Sequence, residues 1–327
     1  MYKKENSTQM TLEGFYAPFA EKLSTDNRWV KLSDKMPWDI IEAEYLKNIQ
    51  PEKGRPSISS RIAFGACFIR NAENITDERT VLAIAENPYM QYFLGLKEFD
   101  PEPLFDPSMM VHFRKRFPVN FVSKVNEYLC TGKWPEGSRN VDRNDDNNDS
   151  DDKRPNPTEF GQKTHLSVVN GYVYLEQTSW SNFNESTDLI PCAEDYKRKF
   201  GFYPKAILAD KIYQTKANKK YCKERGIRLS GRSLGRKNQE QKEAETEQMY
   251  RDSCQRNWVE GKNGLLKTRY GMSRVMCKLD ESAKSDLVFA ILAMNAFRKL
   301  REDILRLFRE IGFSPVVCCV ILCCETA

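Results

Sequence analysis

The stretch KAILAD, residues 205–210, is a short apolar run that ends in an acidic residue. An apolar run of this length predicts a buried strand, with Asp210 at its carboxyl end. In open α/β sheets, ligands bind in the crevice outside the carboxyl ends of the strands. The run therefore predicts a strand that presents one carboxylate to a functional site.

The segments around this strand alternate between strand and helix patterns. The dipeptide Asn170–Gly171 separates two alternating runs, which predicts a hairpin with a two-residue turn. Gly201 is predicted to end the helix that follows, because glycine readily adopts the left-handed conformation of a helix end. In chain order, the sequence predicts strands at 163–169 and 171–179, a helix at 187–201, the strand at 205–210, a helix at 216–225 and a strand at 227–231.

The stretch RNWVEGKNGLLK, residues 256–267, carries an acid between two basic residues. Arg256, Glu260 and Lys267 are spaced by four and seven residues, which places them on one face of a helix. On spacing alone, ion pairing on a solvated surface is the better interpretation. The same spacing also suits a metal-binding carboxylate with cations for phosphate groups beside it.

Residues 1–128 predict a compact all-helical domain, because apolar residues recur at helical spacing. Serines near residue 59 and Thr76 are predicted to cap two of its helices, and Asp106 a third. That third helix ends in a basic cluster, for which two interpretations remain open. The cluster either binds DNA phosphates or simply favours the helix C-terminus, and it consists of Arg114, Lys115 and Arg116.

Residues 129–158 differ in composition from both neighbours and predict a disordered acidic linker. Six aspartates fall between residues 142 and 152. A catalytic carboxylate must be held within about half an ångström of its working position by packed neighbours, which a polar linker does not provide. We therefore expect the linker to separate the helical domain from an α/β domain at 159–305, which is followed by an apolar, cysteine-rich tail at 306–327.

The overall composition restricts the function only loosely. A net charge of +5 suits a polyanionic partner and an ordinary surface equally well. No C-x-x-C pair occurs among the ten cysteines, and the two histidines, His112 and His165, lie far from any cysteine pair, so no zinc site of the usual spacing is predicted. The four tail cysteines remain a candidate for soft-metal binding. No secretory signal or membrane-spanning run is predicted.

Taken together, these motifs resemble bacterial insertion-sequence DDE transposases that carry an InsH-type N-terminal helical domain. The resemblance covers most of the chain and rests on long, ordered stretches. These stretches are residues 57–96, 106–117, 158–191, 200–236 and 256–272.

The resemblance implies a ribonuclease H-like (DDE) domain and metal-dependent phosphoryl transfer on DNA. Asp210 matches the second acid of the DDE triad, and Glu260 matches the third. In an intact family member, three carboxylates hold two Mg²⁺ (or Mn²⁺) ions that drive strand cleavage and strand transfer. Arg256 and Lys267 match the arginine and lysine of the family signature Y-x2-R-x3-E-x6-K, and Ser253 replaces its tyrosine.

The partners that the resemblance implies are the double-stranded DNA of the terminal inverted repeats and the target. The basic cluster at residues 114–116 would help to hold the inverted repeat. The implied location is the bacterial cytoplasm, in association with the nucleoid and with no membrane partner. The resemblance leaves a homodimer open.

The first acid of the triad has no counterpart in the sequence. Family members carry it on a central strand that precedes KTHLSVV, and residues 131–159 contain no apolar run able to form that strand. We therefore expect an internal deletion, a domain without its first strand, unpaired strand edges and impaired catalysis. The alternatives are a non-enzymatic DNA-binding remnant that competes with full-length transposase at inverted repeats, and an interaction protein that does not bind DNA.

Overall fold

The computed structural model describes residues 22–47, 58–142, 163–179, 184–232, 238–273, 277 and 279–310. They fall into two compact units, one formed by residues up to Lys133 and from Arg269 onward, the other by Trp134–Thr268. The first contains α1 (Arg28–Ser33), α2 (Trp38–Lys47), α3 (Ser60–Glu73), α4 (Asp77–Glu86), α5 (Pro88–Phe93), α6 (Met109–Arg116), α7 (Val119–Thr131) and α11 (Asp280–Glu310). The second contains β1 (Lys163–Val169), β2 (Tyr172–Ser179), α8 (Leu189–Phe200), β3 (Ala206–Ile207), α9 (Lys216–Glu224), β4 (Arg228–Leu229) and nearly all of α10 (Gln239–Arg269).

Local signals in the sequence place the helix ends of the first unit well. Ser59 caps α3 by accepting a hydrogen bond from the amide of Ile62, and Thr76 caps α4 in the same way through the amide of Arg79. The predicted cap at Asp106 is wrong. Its carboxylate binds Ser108 within a turn, and α6 begins beyond that turn, at Met109.

Aromatic side chains from α3 and α11 fill the core of the first unit. Phe64 of α3 is fully buried, and its ring lies edge-on to that of Phe289 of α11, with 4.9 Å between the ring centroids. Ser285 of α11 also donates a hydrogen bond to the carbonyl oxygen of Phe117. Helix α11 is therefore part of the helical unit, although the whole second unit precedes it in the sequence.

This position of α11 differs from the predicted division of the chain. The sequence-based boundaries placed α11 in the domain at 159–305, whereas the compact units separate it from that domain at Arg269. The helix also extends to Glu310, so residues 306–310 of the predicted tail are helical. The remainder of that tail, including its four cysteines, lies outside the described residues.

The predicted hairpin is confirmed in the second unit. Strands β1 and β2 pair antiparallel, and both turn residues have positive φ angles, 52° at Asn170 and 79° at Gly171. This is the backbone that a tight hairpin turn requires, and Asn–Gly adopts it at low cost. Strand β2 is buried along its length, whereas β1 is half-buried.

The predicted strand at 205–210 is shorter than the apolar run suggests. Only Ala206–Ile207 is a strand, and it pairs parallel with Arg228–Leu229. Both residues are half-buried rather than buried. Within the described residues, the strands form two separate pairs, β1 with β2 and β3 with β4.

The segment before residue 143 is not the disordered linker that the composition predicted. Helix α7 extends to Thr131, and the side chain of Val141 is buried. The carbonyl oxygen of Val141 accepts a hydrogen bond from the amide of Thr178 at 2.9 Å, so this segment pairs with the edge of β2. Composition does not reveal a single buried apolar residue or a single backbone pairing within a polar segment. Residues 143–158 lie outside the described residues.

No helix among the described residues combines the length and the apolar composition that crossing a membrane requires.

Candidate active site

Strand β3 leads directly into the loop that carries Asp210. The amide of Ala209 donates to Oγ of Ser230, and the same hydroxyl donates to the carbonyl oxygen of Ala209, each at 2.9 Å. The amide of Ser230 in turn donates to the carbonyl oxygen of Ile207. These bonds fix the backbone immediately before Asp210, because β3 and β4 are tied together through one serine.

The backbone after Asp210 is fixed by Tyr213, which ends the short 3-10 helix Lys211–Tyr213. The side chain of Asn218, which is only 2% exposed, donates to the carbonyl oxygen of Tyr213 at 2.9 Å. The phenol of Tyr213 is buried and donates to the carboxylate of Glu185. Asp210 is therefore held between two anchored positions, while its own side chain is 67% exposed.

Helix α10 is positioned against β4 by a paired charge that sequence reasoning missed. Arg228 of β4 donates two hydrogen bonds to the buried carboxylate of Asp252, at 2.6 and 2.9 Å. One turn further along α10, Nη2 of Arg256 lies 2.8 Å from Oδ1 of Asp210. The basic stripe of α10 therefore contacts Asp210 through Arg256, a pairing that was not predicted, and Asp252, four residues before Arg256, anchors the helix to β4.

The rest of the predicted stripe points to solvent. Glu260 and Lys267 are both exposed on α10, and so is Ser253. Within the described residues, neither Asp210 nor Glu260 belongs to a group of three potential metal ligands. One oxygen of Asp210 is also held by Arg256. The described carboxylates therefore do not fit a pair of divalent ions.

The three residues of the basic cluster at the end of α6 lie in three different environments. Arg114 is 4% exposed, and its two terminal nitrogens donate to the carboxylate of Asp77 at 2.9 and 2.7 Å. Arg116 donates to the hydroxyl of Tyr45, and its guanidinium lies 5.2 Å from the centre of that ring. Lys115 is exposed. Both terminal nitrogens of Arg114 are therefore used inside the unit, which argues against the predicted DNA contact of this residue.

A second cluster lies in the same unit as Asp210 and was not predicted. It joins His165 of β1, Asp188 at the start of α8 and Cys192 one turn along α8, with one potential ligand atom of each within 4.8 Å of the others. Nδ1 of His165 lies 2.9 Å from Oδ2 of Asp188. Burial raises the pKa of Cys192, and the nearby carboxylate of Glu176 raises it further. The only local signal was the spacing of Asp188 and Cys192, four residues apart on a helix.

Comparison with known families accounts for the two parts of the chain that carry the predicted motifs. Residues 18–116 match the model described as Transposase domain (DUF772), and residues 207–296 match the model described as Transposase DDE domain. The second range contains Asp210, Arg256 and Glu260. The chain belongs to the insertion-sequence DDE transposases. The family predicted from the sequence is thus confirmed.

The transposase also resembles one curated bacterial protein over a limited range. That protein, "Uncharacterized protein ORF8 in nfe locus" of Rhizobium meliloti, is 32% identical over 87 residues, or 27% of the transposase chain. The match spans 42% of the relative's own length. No solved structure matches the transposase significantly.

Proposed function

We propose that the chain is an insertion-sequence transposase by descent whose DNA strand cleavage is impaired because the first acid of the DDE triad is missing. The observation that carries this proposal is the pairing of the described strands in two separate pairs. A central strand pairs with a neighbouring strand on each side, so its loss divides the sheet into two separate pairs of strands. The antiparallel pair β1–β2 and the parallel pair β3–β4 fit that outcome.

The order of elements in the second unit supports its derivation from a ribonuclease H-like domain. The chain runs from a hairpin through a helix to a strand followed by Asp210, then through a helix and a strand to the helix that bears Glu260. In an intact domain, the lost strand would carry the first acid of the triad, and the three carboxylates would hold two Mg²⁺ or Mn²⁺ ions. The remaining acids, Asp210 and Glu260, would hold divalent ions only weakly.

Cleavage assays test this proposal directly. We expect the purified chain to cut DNA that carries the element's inverted repeats no faster than the Asp210→Ala variant does, with either Mg²⁺ or Mn²⁺. The physical reason is that phosphoryl transfer needs the metal ions in place to stabilise the attacking and leaving oxygens. Metal-dependent cleavage that disappears in both Asp210→Ala and Glu260→Ala would show that the active site is complete, and would reject the proposal.

The exposed cations favour a second candidate function, a DNA-binding remnant that competes with full-length transposase at inverted repeats. Lys115 and Lys267 are exposed and lie in the two ranges that match transposase models. We expect binding to inverted-repeat DNA that weakens steeply with salt, because phosphate contacts release counterions. Equal affinity for unrelated DNA at moderate salt would count against competition at the repeats, and no binding at low salt would favour a function without DNA.

A further inference from the structure

The cluster of His165, Asp188 and Cys192 has the composition of a metal site rather than of an ordinary ion pair. An imidazole nitrogen, a carboxylate oxygen and a thiol sulfur come together from a strand, a helix start and the next helical turn. The side chain of Asp188 is 5% exposed, and that of His165 is 18% exposed. These are the three ligand types that Zn²⁺ uses in proteins.

We propose that His165, Asp188 and Cys192 bind a zinc-class divalent metal ion. Sulfur and imidazole ligands select zinc and its neighbours over Mg²⁺, which prefers oxygen ligands. With three protein ligands, a fourth position stays open to water or another ligand. Binding replaces the S–H proton of Cys192 with a metal–sulfur bond, and the proton leaves to solvent.

An independent observation on β2 supports the same position. Glu176 is 3% exposed, and its Oε2 atom has no hydrogen-bond partner among the residues that the structure describes. Nη1 of Arg139 lies 3.7 Å from Oε2, and Nζ of Lys199 lies 3.6 Å from Oε1. An unsatisfied carboxylate oxygen that is buried costs free energy, and a nearby divalent ion would lower that cost. Glu176 is close enough to Cys192 for its charge to affect the thiol.

The guanidinium of Arg139 contacts two of the three proposed ligands. Its Nη2 atom lies 2.6 Å from Oδ1 of Asp188, and its Nη1 atom lies 3.4 Å from Sγ of Cys192. Because the guanidinium stays charged, it supplies one positive charge to the cluster in the absence of metal. Metal binding must therefore displace Arg139, and Arg139 lowers the affinity of the site.

This site is distinct from the acids of the DDE motif. Its three ligands lie outside both ranges that match transposase models, residues 18–116 and 207–296. The proposal also does not depend on cleavage activity, because its test measures binding alone. A wrong cleavage prediction would not affect the metal-site proposal, and a failed metal-binding test would not affect the cleavage prediction.

Cobalt(II) is a suitable probe, because it occupies zinc sites and absorbs visible light when it is bound. The parent protein for the test is the full chain with Cys318, Cys319, Cys323 and Cys324 changed to serine, which removes the tail as a competing ligand. We expect one equivalent of Co²⁺ to produce both the d–d bands of a four-coordinate ion and a thiolate-to-cobalt charge-transfer band. Added Zn²⁺ should abolish both.

Two substitutions in this parent separate the proposed site from adventitious binding. Cys192→Ser should abolish the charge-transfer band, whereas Cys254→Ser should retain it, because Cys254 is an exposed cysteine on α10. Circular dichroism shows whether each variant is folded. Absence of the bands in the folded parent, or a charge-transfer band that persists in Cys192→Ser, would overturn the proposal.

A substitution of Arg139 tests the competition without removing a ligand. Arg139→Gln removes the charge and keeps a polar side chain, so we expect the Kd for Co²⁺ to fall about tenfold. Arg139→Lys keeps the charge and serves as the matched control, with an expected Kd near that of the parent. An unchanged or higher Kd in folded Arg139→Gln would show that Arg139 does not compete with the metal.

Discussion

Replacing Asp286 with alanine is expected to lower the free energy of unfolding of the helical unit by about 3–5 kcal/mol. The carboxylate of Asp286 accepts hydrogen bonds from Nη1 of Arg70 at 2.6 Å and from the side-chain nitrogen Nδ2 of Asn71 at 3.0 Å. The side chain of Asp286 is 4% exposed, and that of Arg70 is 11% exposed. Without Asp286, the buried guanidinium of Arg70 loses its nearest carboxylate, and the side-chain amide of Asn71 keeps its bond to the carbonyl oxygen of Cys67 but loses the one to Asp286. The loss of these two bonds dominates the cost.

The measurement is urea unfolding followed by far-UV circular dichroism. Asp303→Ala is the matched control, because Asp303 is on the same helix and pairs with Lys35, but both side chains are about one-third exposed. A pair of this exposure contributes about 1 kcal/mol or less. If the two alanine variants lost the same stability, α11 would not be held to the helical unit by the buried pair.

Replacing Arg114 with alanine is expected to lower the free energy of unfolding by about 2 kcal/mol, a smaller loss because Asp77 is 22% exposed. Asp77 would keep a weaker contact with Nε of Arg70 at 3.6 Å. In the folded Arg114→Ala variant, the salt dependence of DNA binding should be unchanged, because Arg114 is buried. Urea unfolding and DNA titrations over a range of salt concentrations provide the two measurements.

Lys115→Ala is the control with the opposite expected pattern. The free energy of unfolding of this variant should stay within about 0.5 kcal/mol of that of the unsubstituted protein, since the Lys115 side chain is exposed. If Lys115 contacts a phosphate, the slope of log K against log salt should fall by about one. A change in that slope for folded Arg114→Ala, with none for Lys115→Ala, would restore the DNA role that the sequence first suggested for Arg114.

The features that the sequence predicted correctly are those that depend on a few neighbouring residues. Asn170 and Gly171 form their turn because both tolerate positive φ, and Gly201 ends α8 for the same reason, with a φ of 84°. Thr76 caps α4 because its hydroxyl reaches an amide three residues later. In each case, the physical cause lies within one turn of chain.

The features that it missed depend on partners that are distant in sequence. In the sequence, Arg114 cannot be distinguished from an exposed basic residue. It is buried because it pairs with Asp77, which lies on another helix. Val141 lies in a polar segment of the sequence, and its burial accompanies a backbone pairing with Thr178, which is distant in sequence. The cluster of His165, Asp188 and Cys192 was missed because His165 comes from a strand that is distant in sequence, and the spacing of Asp188 and Cys192 alone is a weak signal.

The place of α11 in the helical unit also determines the order in which the protein can fold. Chain synthesis delivers α1 to α7 first, but α11, which supplies Phe289 and Asp286 to their core, is made only after the entire second unit. The first unit must therefore wait, with apolar surface exposed, until α11 has left the ribosome. The second unit, whose residues are contiguous, is free to fold during that interval.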